Sequence, residues 1–361
     1  MRSAPPPATP PLARLRGGLA VLWRPDGSVQ LGTSPRSSLL LRGLTPPQRA
    51  CLATLAGAPG PGAPTPAAGQ GTLPGPGSGA SLLALLRESG ALDSEGTAGA
   101  GHHPSPQRWV ADGRAWAAAH PAGPRPAERL ARRRAHRVTV LGGGRTGTGI
   151  ATTLAAAGIG GVEVVDRTRA QALDVAPVAA AAPDLGGSRS LAAHRAVVRA
   201  AEGFAPPPTA THDRGQPDVV VLVQRGAADA SAADGLVAEG IPHLSVVVRD
   251  SDVLVGPFVV PGTTPCLRCL DLHRTDLDPG WPHVVTQLPA APPQRCPAEE
   301  TATATAVAGL ASLQVLAHVD GAPVSSQGAT LELLVPETVV RRRPWSVHPQ
   351  CGCTELPVPG T

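Results

Sequence analysis

Four cysteines in two close pairs are the residues of this chain best suited to hold a metal ion. Cys266 and Cys269 are separated by two residues, and Cys351 and Cys353 by one. Together they supply the four thiolates that a tetrahedral structural Zn²⁺ takes, which leaves no position open for water. The alternative is a set of free buried thiols. We predict a structural zinc site, and its loss should unfold the carboxyl-terminal tail because metal binding and folding are coupled at such sites.

Another cysteine, Cys296, directly precedes Pro297 and a long helix of small residues that we predict to run through Gln314. A helix start can stabilise a thiolate, so Cys296 could act as a nucleophile. The simpler interpretation, which we favour, is an inert thiol in a loop. No Ser-His-Asp order is evident, and the adjacent His102 and His103 fall in a predicted linker.

A glycine pattern provides the second chemical motif. Gly142, Gly144 and Gly147 have the spacing that lets backbone amides approach a phosphate at the start of a helix. The glycines follow the apolar run 138–141, and Asp166 ends the next predicted strand, where it could hold a ribose hydroxyl. This order of strand, glycines, helix, strand and aspartate predicts a nucleotide-binding fold. Binding of a nucleotide by that fold is a separate question.

The elements that would position these residues form an alternating α/β pattern. Apolar runs predict strands at 138–141, 162–165, 219–223 and 244–248, and helices are predicted at 150–157 and 227–238. The first two strands and the helix between them form one βαβ unit of the doubly wound kind. The second half of the chain is therefore predicted to be an α/β domain.

The first hundred residues have a different character. They predict a hairpin at 19–32 with an Asp-Gly turn, a helix from Thr45 to Gly57, and a second helix from Ser81 to Gly90. The Gly- and Pro-rich stretch 57–80 between the helices cannot offset its ordering entropy, and we expect a flexible insertion there. This order is typical of a small winged-helix module.

A polar connection follows and ends in a basic helix, whose arginine run 132–134 we interpret as a solvated face. The 361 residues contain no Lys, Asn or Tyr, so every lysine-dependent mechanism is excluded. The net charge of +4 is a modest, dispersed surplus that does not argue for nucleic acid. No apolar run reaches the roughly 18 residues of a membrane span, and no signal-peptide core is present, so we predict a cytoplasmic protein.

Taken together, the segment 138–166, the two cysteine pairs and Cys296 resemble the ThiF-like adenylyltransferases of the ubiquitin-activating-enzyme superfamily, over roughly residues 137–353. The resemblance implies a cysteine-based zinc clamp. It also implies ATP- and Mg²⁺-dependent activation of a carrier's carboxyl terminus as an acyl-adenylate. Cys296 is similar in position to a sulfur-transfer cysteine of the thiamine branch.

Several positions depart from that family's pattern. Only Asp166 of its paired aspartates is present, and residues 174–178 lack its phosphate-contacting arginine. Its catalytic lysine cannot exist here, although Arg189 is a candidate for that place, and its Mg²⁺-binding aspartate is replaced by Gln224 and Arg225. Loss of one electrostatic stabiliser alone costs roughly 10²–10³ in rate, so these departures disfavour adenylylation and functional ATP and Mg²⁺ binding.

The chain more closely resembles the leader-peptide-binding, or cyclodehydratase partner, proteins of thiazole/oxazole-modified microcin synthesis. The resemblance covers nearly the whole chain and rests on residues 29–32, 142–145, 265–274 and 348–353. It implies that the winged-helix module binds the leader peptide of a ribosomally made precursor as a strand added to its hairpin edge. A separate YcaO-type ATP-dependent enzyme then cyclises Cys, Ser or Thr of the core peptide.

We therefore predict an α/β fold, a doubly wound Rossmann-like ThiF-type domain preceded by a small winged-helix-like α+β module. The predicted boundaries are 1–100 for the peptide-binding module with its disordered insertion at 57–80, 101–136 for the linker and basic helix, and 137–361 for the ThiF-like domain. The predicted partners are a leader peptide and a YcaO-type cyclodehydratase, without nucleic acid or membrane. Homodimerisation is common in the resembling family and is left open.

The main alternative is an active adenylyl- or sulfur-transferring enzyme that uses Asp166, Arg189 and Cys296 on a carrier-protein terminus. A Rossmann oxidoreductase is disfavoured by the cysteine pairs and by the lack of a recognisable acid/base set. A winged-helix DNA-binding regulator is disfavoured because the predicted helix from Ser81 to Gly90 offers only Arg87 as a cation.

Overall fold

The computed structural model describes Leu15 and residues 19–35, 38–56, 79–92, 108–120, 123–201, 215–287 and 299–355. The chain divides into two compact units, Met1–Arg129 and Leu130–Thr361. Cys296, His102, His103 and residues 57–78 of the predicted insertion lie outside the described residues.

The first unit is a small winged-helix-like α+β module, as predicted. Its elements are β1 (Val21–Trp23), β2 (Val29–Leu31), β3 (Leu39–Leu41), α1 (Pro46–Ala56), α2 (Gly79–Glu88) and α3 (Arg108–Ala119). The strands form an antiparallel sheet in the order β1-β2-β3. In the predicted hairpin, Val21 pairs with Leu31 and Trp23 with Val29. The Asp26 carboxylate stabilises the turn by accepting the Ser28 N–H at 3.0 Å.

A compact apolar core holds this sheet against its helices. Val29, Leu31 and Leu41 of the sheet pack with Leu52 of α1 and Leu86 of α2. The sequence did not predict β3 or α3. The three consecutive leucines of β3 do not alternate with polar residues as a half-buried strand would. The segment of α3 is polar and interrupted by a glycine, so its pattern does not indicate a helix. Helix α2 also begins earlier than predicted, inside the proposed insertion.

A helix α4 (Pro126–Ala135) spans the boundary between the units, and the second unit follows. Its strands are β4 (Arg137–Leu141), β5 (Gly161–Val165), β6 (Val219–Arg225), β7 (His243–Val248), β8 (Asp252–Val259), β9 (Ala329–Leu334) and β10 (Val339–Pro344). Its helices are α5 (Arg145–Ala156), α6 (Arg189–Ala201), α7 (Ser231–Ala238), α8 (Leu267–Leu277), α9 (Trp281–Gln287) and α10 (Thr301–Val319).

These strands form one seven-stranded sheet in the order β10-β9-β8-β7-β6-β4-β5. Strands β5, β4, β6 and β7 pair in parallel, and β8, β9 and β10 extend the sheet in antiparallel fashion. The predicted doubly wound α/β fold is therefore confirmed. The antiparallel extension was not predicted, because β8 contains Gly256 and Pro257 and every residue of β10 is exposed.

Strand β6 lies between β7 and β4 in the interior of the sheet, and its surroundings explain why residues 219–223 form a continuous apolar run. Val219 and Val221 belong to a core with Ile150 of α5, while Val220 and Leu222 belong to a second core on the other side. Successive side chains of a strand point to opposite faces, so a sheet covered on both faces needs apolar residues at every position.

Helix α10 is the one helix among the described residues that is long and apolar enough to cross a membrane by length and composition. Val307, Ala311 and Val315 of this helix lie in the main core with Ile150 and Leu154 of α5. A buried core helix meets the same criterion, so the composition of α10 carries no argument for a membrane span.

The arginine run of α4 is only partly a solvated face. Arg132 and Arg134 are exposed, but Arg133 is buried. The Arg133 Nε donates to Asp320 Oδ1 at 2.8 Å and its Nη2 to Oδ2 at 2.5 Å, while Nη1 donates to the Ala157 carbonyl at 3.0 Å. The interpretation of the whole run as solvated is therefore wrong for Arg133, which attaches the last turn of α4 to the α/β unit.

Candidate functional site

The structure brings the four paired cysteines together in one cluster. Cys266 caps the start of α8, Cys269 lies in its first turn, and the other two lie in the turn after β10. The Sγ atoms of Cys266 and Cys351 are 3.5 Å apart, as are those of Cys269 and Cys353, and the Sγ atoms of Cys266 and Cys269 are 3.9 Å apart. All four ligand atoms lie within 4.8 Å of one another. Zn–S bonds of about 2.3 Å in a tetrahedron put sulfurs about 3.8 Å apart, so this donor set fits a structural Zn²⁺.

The electrostatics of the cluster keep its thiols from all ionising together. Burial, the hydrogen bond to Cys269 and the charge of Cys266 raise the pKa of Cys353 to about 12. Burial and the same two neighbours also raise the pKa of Cys351. Burial works in the same direction at Cys269, but hydrogen bonds, first that from the His348 N–H, outweigh it and lower its pKa. Four thiolates therefore do not coexist unaided, whereas a bound metal ion deprotonates coordinating thiols.

A second group of potential ligands, His273, Asp276 and His348, lies beside the cysteines. The His348 N–H donates to Cys269 Sγ at 3.4 Å, and its ring joins Asp276 through Nε2 and Oδ2 at 2.9 Å. Because the Gln350 N–H donates to His348 Nδ1 at 3.1 Å, the ring proton belongs on Nε2 and is donated to Asp276. A metal on Nε2 would push that proton onto Nδ1, against the Gln350 N–H. We therefore interpret His348 as a residue that positions the cysteine turn on α8, a role that sequence analysis missed.

The glycine fingerprint lies between β4 and α5, where close backbone contacts require it. Gly142 has φ +112°, and a Cβ there would lie 2.7 Å from the Val223 carbonyl oxygen. A Cβ on Gly147 would lie 1.8 Å from the Gly142 carbonyl oxygen. Gly144 is the N-cap residue of α5 and makes no side-chain cap. Gly142 and Gly147 are thus explained by the turn and by helix packing, whether or not a ligand binds.

Asp166 directly follows β5 and has both carboxylate oxygens engaged. Its Oδ2 accepts the Gly143 N–H at 2.7 Å, and its Oδ1 accepts the Thr168 N–H at 2.8 Å and the Thr168 hydroxyl at 2.6 Å. Burial raises the pKa of Asp166, but these hydrogen bonds and Arg189 outweigh it and hold the pKa below its usual value. Asp166 is therefore an ionised carboxylate that stabilises the glycine turn.

Arg189, the first residue of α6, lies beside Asp166 but pairs more closely with a different acid. Its Nε donates to Asp174 Oδ2 at 2.7 Å, whereas its Nη1 is 3.6 Å from Asp166 Oδ2. The Nη1 also donates to the Thr168 hydroxyl at 3.0 Å. The structure thus brings Gly142, Asp166 and Arg189 to one end of the sheet, with Arg189 held by acidic partners.

A further residue at the glycine turn is Glu299, which sequence analysis missed. Its carboxylate reaches the start of α5, where the Thr146 N–H donates to Oε2 at 3.1 Å. Its Oε1 lies 3.7 Å from Nη2 of Arg225, the last residue of β6. No local spacing signals this contact, because Thr146 and Glu299 are 153 residues apart along the chain.

Comparison with known protein families identifies the class to which this α/β unit, with its glycine turn and cysteine cluster, belongs. Residues 119–353 match the ThiF family, and the chain belongs to that family. No curated protein matches the chain.

Solved structures share the fold. The Escherichia coli MccB structure with ATP is 15% identical, with a TM-score of 0.65, and the match covers 95% of this chain and 99% of that one. Microcin C7 biosynthetic enzyme MccB in complex with N-formylated MccA is 14% identical, with a TM-score of 0.66 and the same coverage. PaaA is 16% identical, with a TM-score of 0.63 and coverage of 91% and 99%.

Proposed function

We propose that this chain is a non-catalytic member of the ThiF family. In this proposal it binds the leader peptide of a ribosomally made precursor and presents it to a YcaO-type cyclodehydratase for azoline formation. The observation that carries the proposal is the position of Arg225, which ends β6 where the resemblance expects a Mg²⁺-binding aspartate. Its guanidinium faces the glycine turn and pairs with Glu299.

The chemistry of adenylylation explains why Arg225 matters. Attack on the α-phosphate of ATP develops negative charge that a Mg²⁺ ion normally stabilises. A guanidinium at the carboxylate's position repels a divalent cation instead of binding it, and the sequence contains no lysine to supply the missing catalytic cation. Asp166 and Arg189, the remaining candidates, are engaged with each other and with Asp174.

The first unit offers an edge for an added peptide strand. Within the described residues, β1 pairs only with β2, and the exposed fraction of Leu22 at its centre is 41%. The Gly32 N–H donates to the Ala20 carbonyl, and this antiparallel register directs the backbone groups of Val21 and Trp23 away from β2. A leader peptide paired there would gain main-chain hydrogen bonds. MccB, a protein of the same fold, has a structure in complex with N-formylated MccA, which supports peptide binding.

We also propose that the cysteine cluster holds a structural Zn²⁺. Cys266, Cys269, Cys351 and Cys353 would be its four ligands, and the ion would supply the positive charge that keeps their sulfurs as thiolates. The ion would join α8 to the turn after β10. Because all four positions are protein ligands, the metal would have no catalytic part.

The test of the peptide-binding role uses the full-length protein and fluorescein-labelled candidate leader peptides, with binding followed by fluorescence anisotropy. We expect saturable binding without ATP. Peptides N-methylated at alternate residues provide matched controls, because an added strand pairs through every second residue. N-methylation in one frame should abolish binding, and N-methylation in the other frame should preserve it.

The same protein preparation tests the non-catalytic role. We expect no ATP-dependent exchange of labelled pyrophosphate with any peptide that binds. Saturable, Mg²⁺-dependent ATP binding together with pyrophosphate exchange would instead establish the adenylyltransferase. Equal loss of peptide binding in both N-methylated frames would contradict strand addition.

A further inference from the structure

The start of α5 holds an internal anion. The first N–H groups of any helix lack partners within it, and the helix dipole favours negative charge at that end. Gly144 supplies no side-chain cap, and the Thr146 N–H donates instead to the Glu299 carboxylate at 3.1 Å. The side chain of Glu299 is only 4% exposed, so this carboxylate is removed from water at the helix end.

Two arginines contact Glu299, Arg225 at its carboxylate and Arg145 at its main-chain carbonyl. The Arg225 Nη2 lies 3.7 Å from Glu299 Oε1, and a Cβ added to Gly144 would lie 3.5 Å from that same nitrogen. The Arg145 Nη1 donates to the Glu299 carbonyl at 2.7 Å. A buried carboxylate needs a charge partner and hydrogen bonds, and Arg225 and the helix start supply them.

This end of α5 also has donors that the carboxylate does not use. Thr146 is 1% exposed, and its buried hydroxyl has no hydrogen-bond partner among the described residues. The Arg145 Nε is likewise buried without a partner within that part of the chain. An unpaired buried donor is costly, and these two could serve an anion with more oxygens than one carboxylate has.

We infer that Glu299 occupies the anion position of the glycine turn, so that a side chain of the protein takes the place of a nucleotide phosphate. This inference rests on the proposed non-catalytic function and deepens it. Two features of the site then have one explanation. Arg225 stands where the resembling family has a metal-binding carboxylate, and it pairs with Glu299, the acid that fills the turn. A phosphate cannot enter while Glu299 stays, because two anions would share one buried site.

The test is a titration of the full-length protein with inorganic pyrophosphate, without Mg²⁺, by isothermal titration calorimetry. We compare the wild type with Glu299→Ala and use Glu300→Ala as the matched control, since Glu300 is exposed and adjacent. Glu299→Ala should bind pyrophosphate about tenfold or more tightly than the wild type, because Arg225 and the α5 N–H groups become available to a polyanion. Glu300→Ala should behave as the wild type.

Further variants keep the result interpretable. Glu299→Gln retains an oxygen that accepts the Thr146 N–H, so it should fold even if Glu299→Ala does not, and it should gain pyrophosphate affinity. Adding Arg225→Gln to either variant should remove the gain. Pyrophosphate binding by the wild type as tight as by the Glu299 variants, or no gain in any folded Glu299 variant, would overturn the inference.

The proposed function fails by a different result. If the wild type binds ATP·Mg²⁺ and exchanges pyrophosphate, the non-catalytic role is wrong. If the wild type binds leader peptide but the Glu299 variants gain no pyrophosphate affinity, only the inference about Glu299 is wrong.

Discussion

Replacing Cys269 with serine is expected to release zinc from the protein and to unfold the turn that contains Cys351 and Cys353. Cys269 is fully buried and lies 3.9 Å from Cys266 and 3.5 Å from Cys353, measured between Sγ atoms. A serine hydroxyl is a poor Zn²⁺ ligand, and structural zinc contributes about 10–16 kcal/mol of apparent binding free energy in zinc-finger peptides. Losing even part of this is large beside a typical stability of about 5–15 kcal/mol.

Zinc content per chain, thermal unfolding and limited proteolysis measure this effect. We expect about one zinc per wild-type chain and close to none in the Cys269→Ser variant, because a structural site needs all four ligands. The variant should unfold at lower temperature and be cleaved first in the segment 345–355, which chelation of the wild type should reproduce.

The matched control is Cys51→Ala, which removes a buried thiol from the core of the first unit. This variant should lose some stability but keep its zinc. A Cys269→Ser protein with wild-type zinc content and unfolding temperature would exclude the proposed site, as would zinc-free wild-type protein of undiminished stability after chelation.

The parts of this fold that local sequence patterns predict are those with a local cause. The spacing of Cys266 and Cys269 places both at the first turn of α8, and the glycines follow β4 where the chain must turn closely. The apolar runs of β6 and β7 reflect burial in the interior of the sheet. Each of these signals comes from a few neighbouring residues, so the sequence alone was sufficient.

The parts that it missed depend on partners far along the chain. Every residue of strand β10 is exposed, and the strand joins the sheet through main-chain pairing with β9, which leaves no pattern of side chains. The contact of Glu299 with the start of α5 depends on the tertiary fold. His348 has the same difficulty, because its role depends on Asp276 and Cys269, both on α8.

Arg133 shows most clearly how a local pattern misleads. Three consecutive arginines in a helix resemble a solvated surface, and two of them are exposed. The middle one meets Asp320, whose side chain is completely buried. Burial of one arginine among three is set by the position of Asp320 at the end of α10, 187 residues away.

Replacing Asp320 with asparagine should therefore destabilise the second unit by about 3–5 kcal/mol, because removing one partner leaves the other charge buried and uncompensated. The two hydrogen bonds of Arg133 to the carboxylate, at 2.8 and 2.5 Å, join the end of α4 to the end of α10. Urea unfolding of the full-length protein, followed by circular dichroism, measures the loss.

The control for this prediction is Glu337→Gln, which breaks the exposed pair of Glu337 and Arg341, whose side chains are 52% and 59% exposed. Solvent screens such a pair, so the change should cost less than about 1 kcal/mol. Combining Arg133→Met with Asp320→Leu should recover much of the stability lost by Asp320→Asn, because an apolar pair needs no charge compensation. Equal small effects of Asp320→Asn and Glu337→Gln would mean that water reaches Arg133, and that α4 is attached by other contacts.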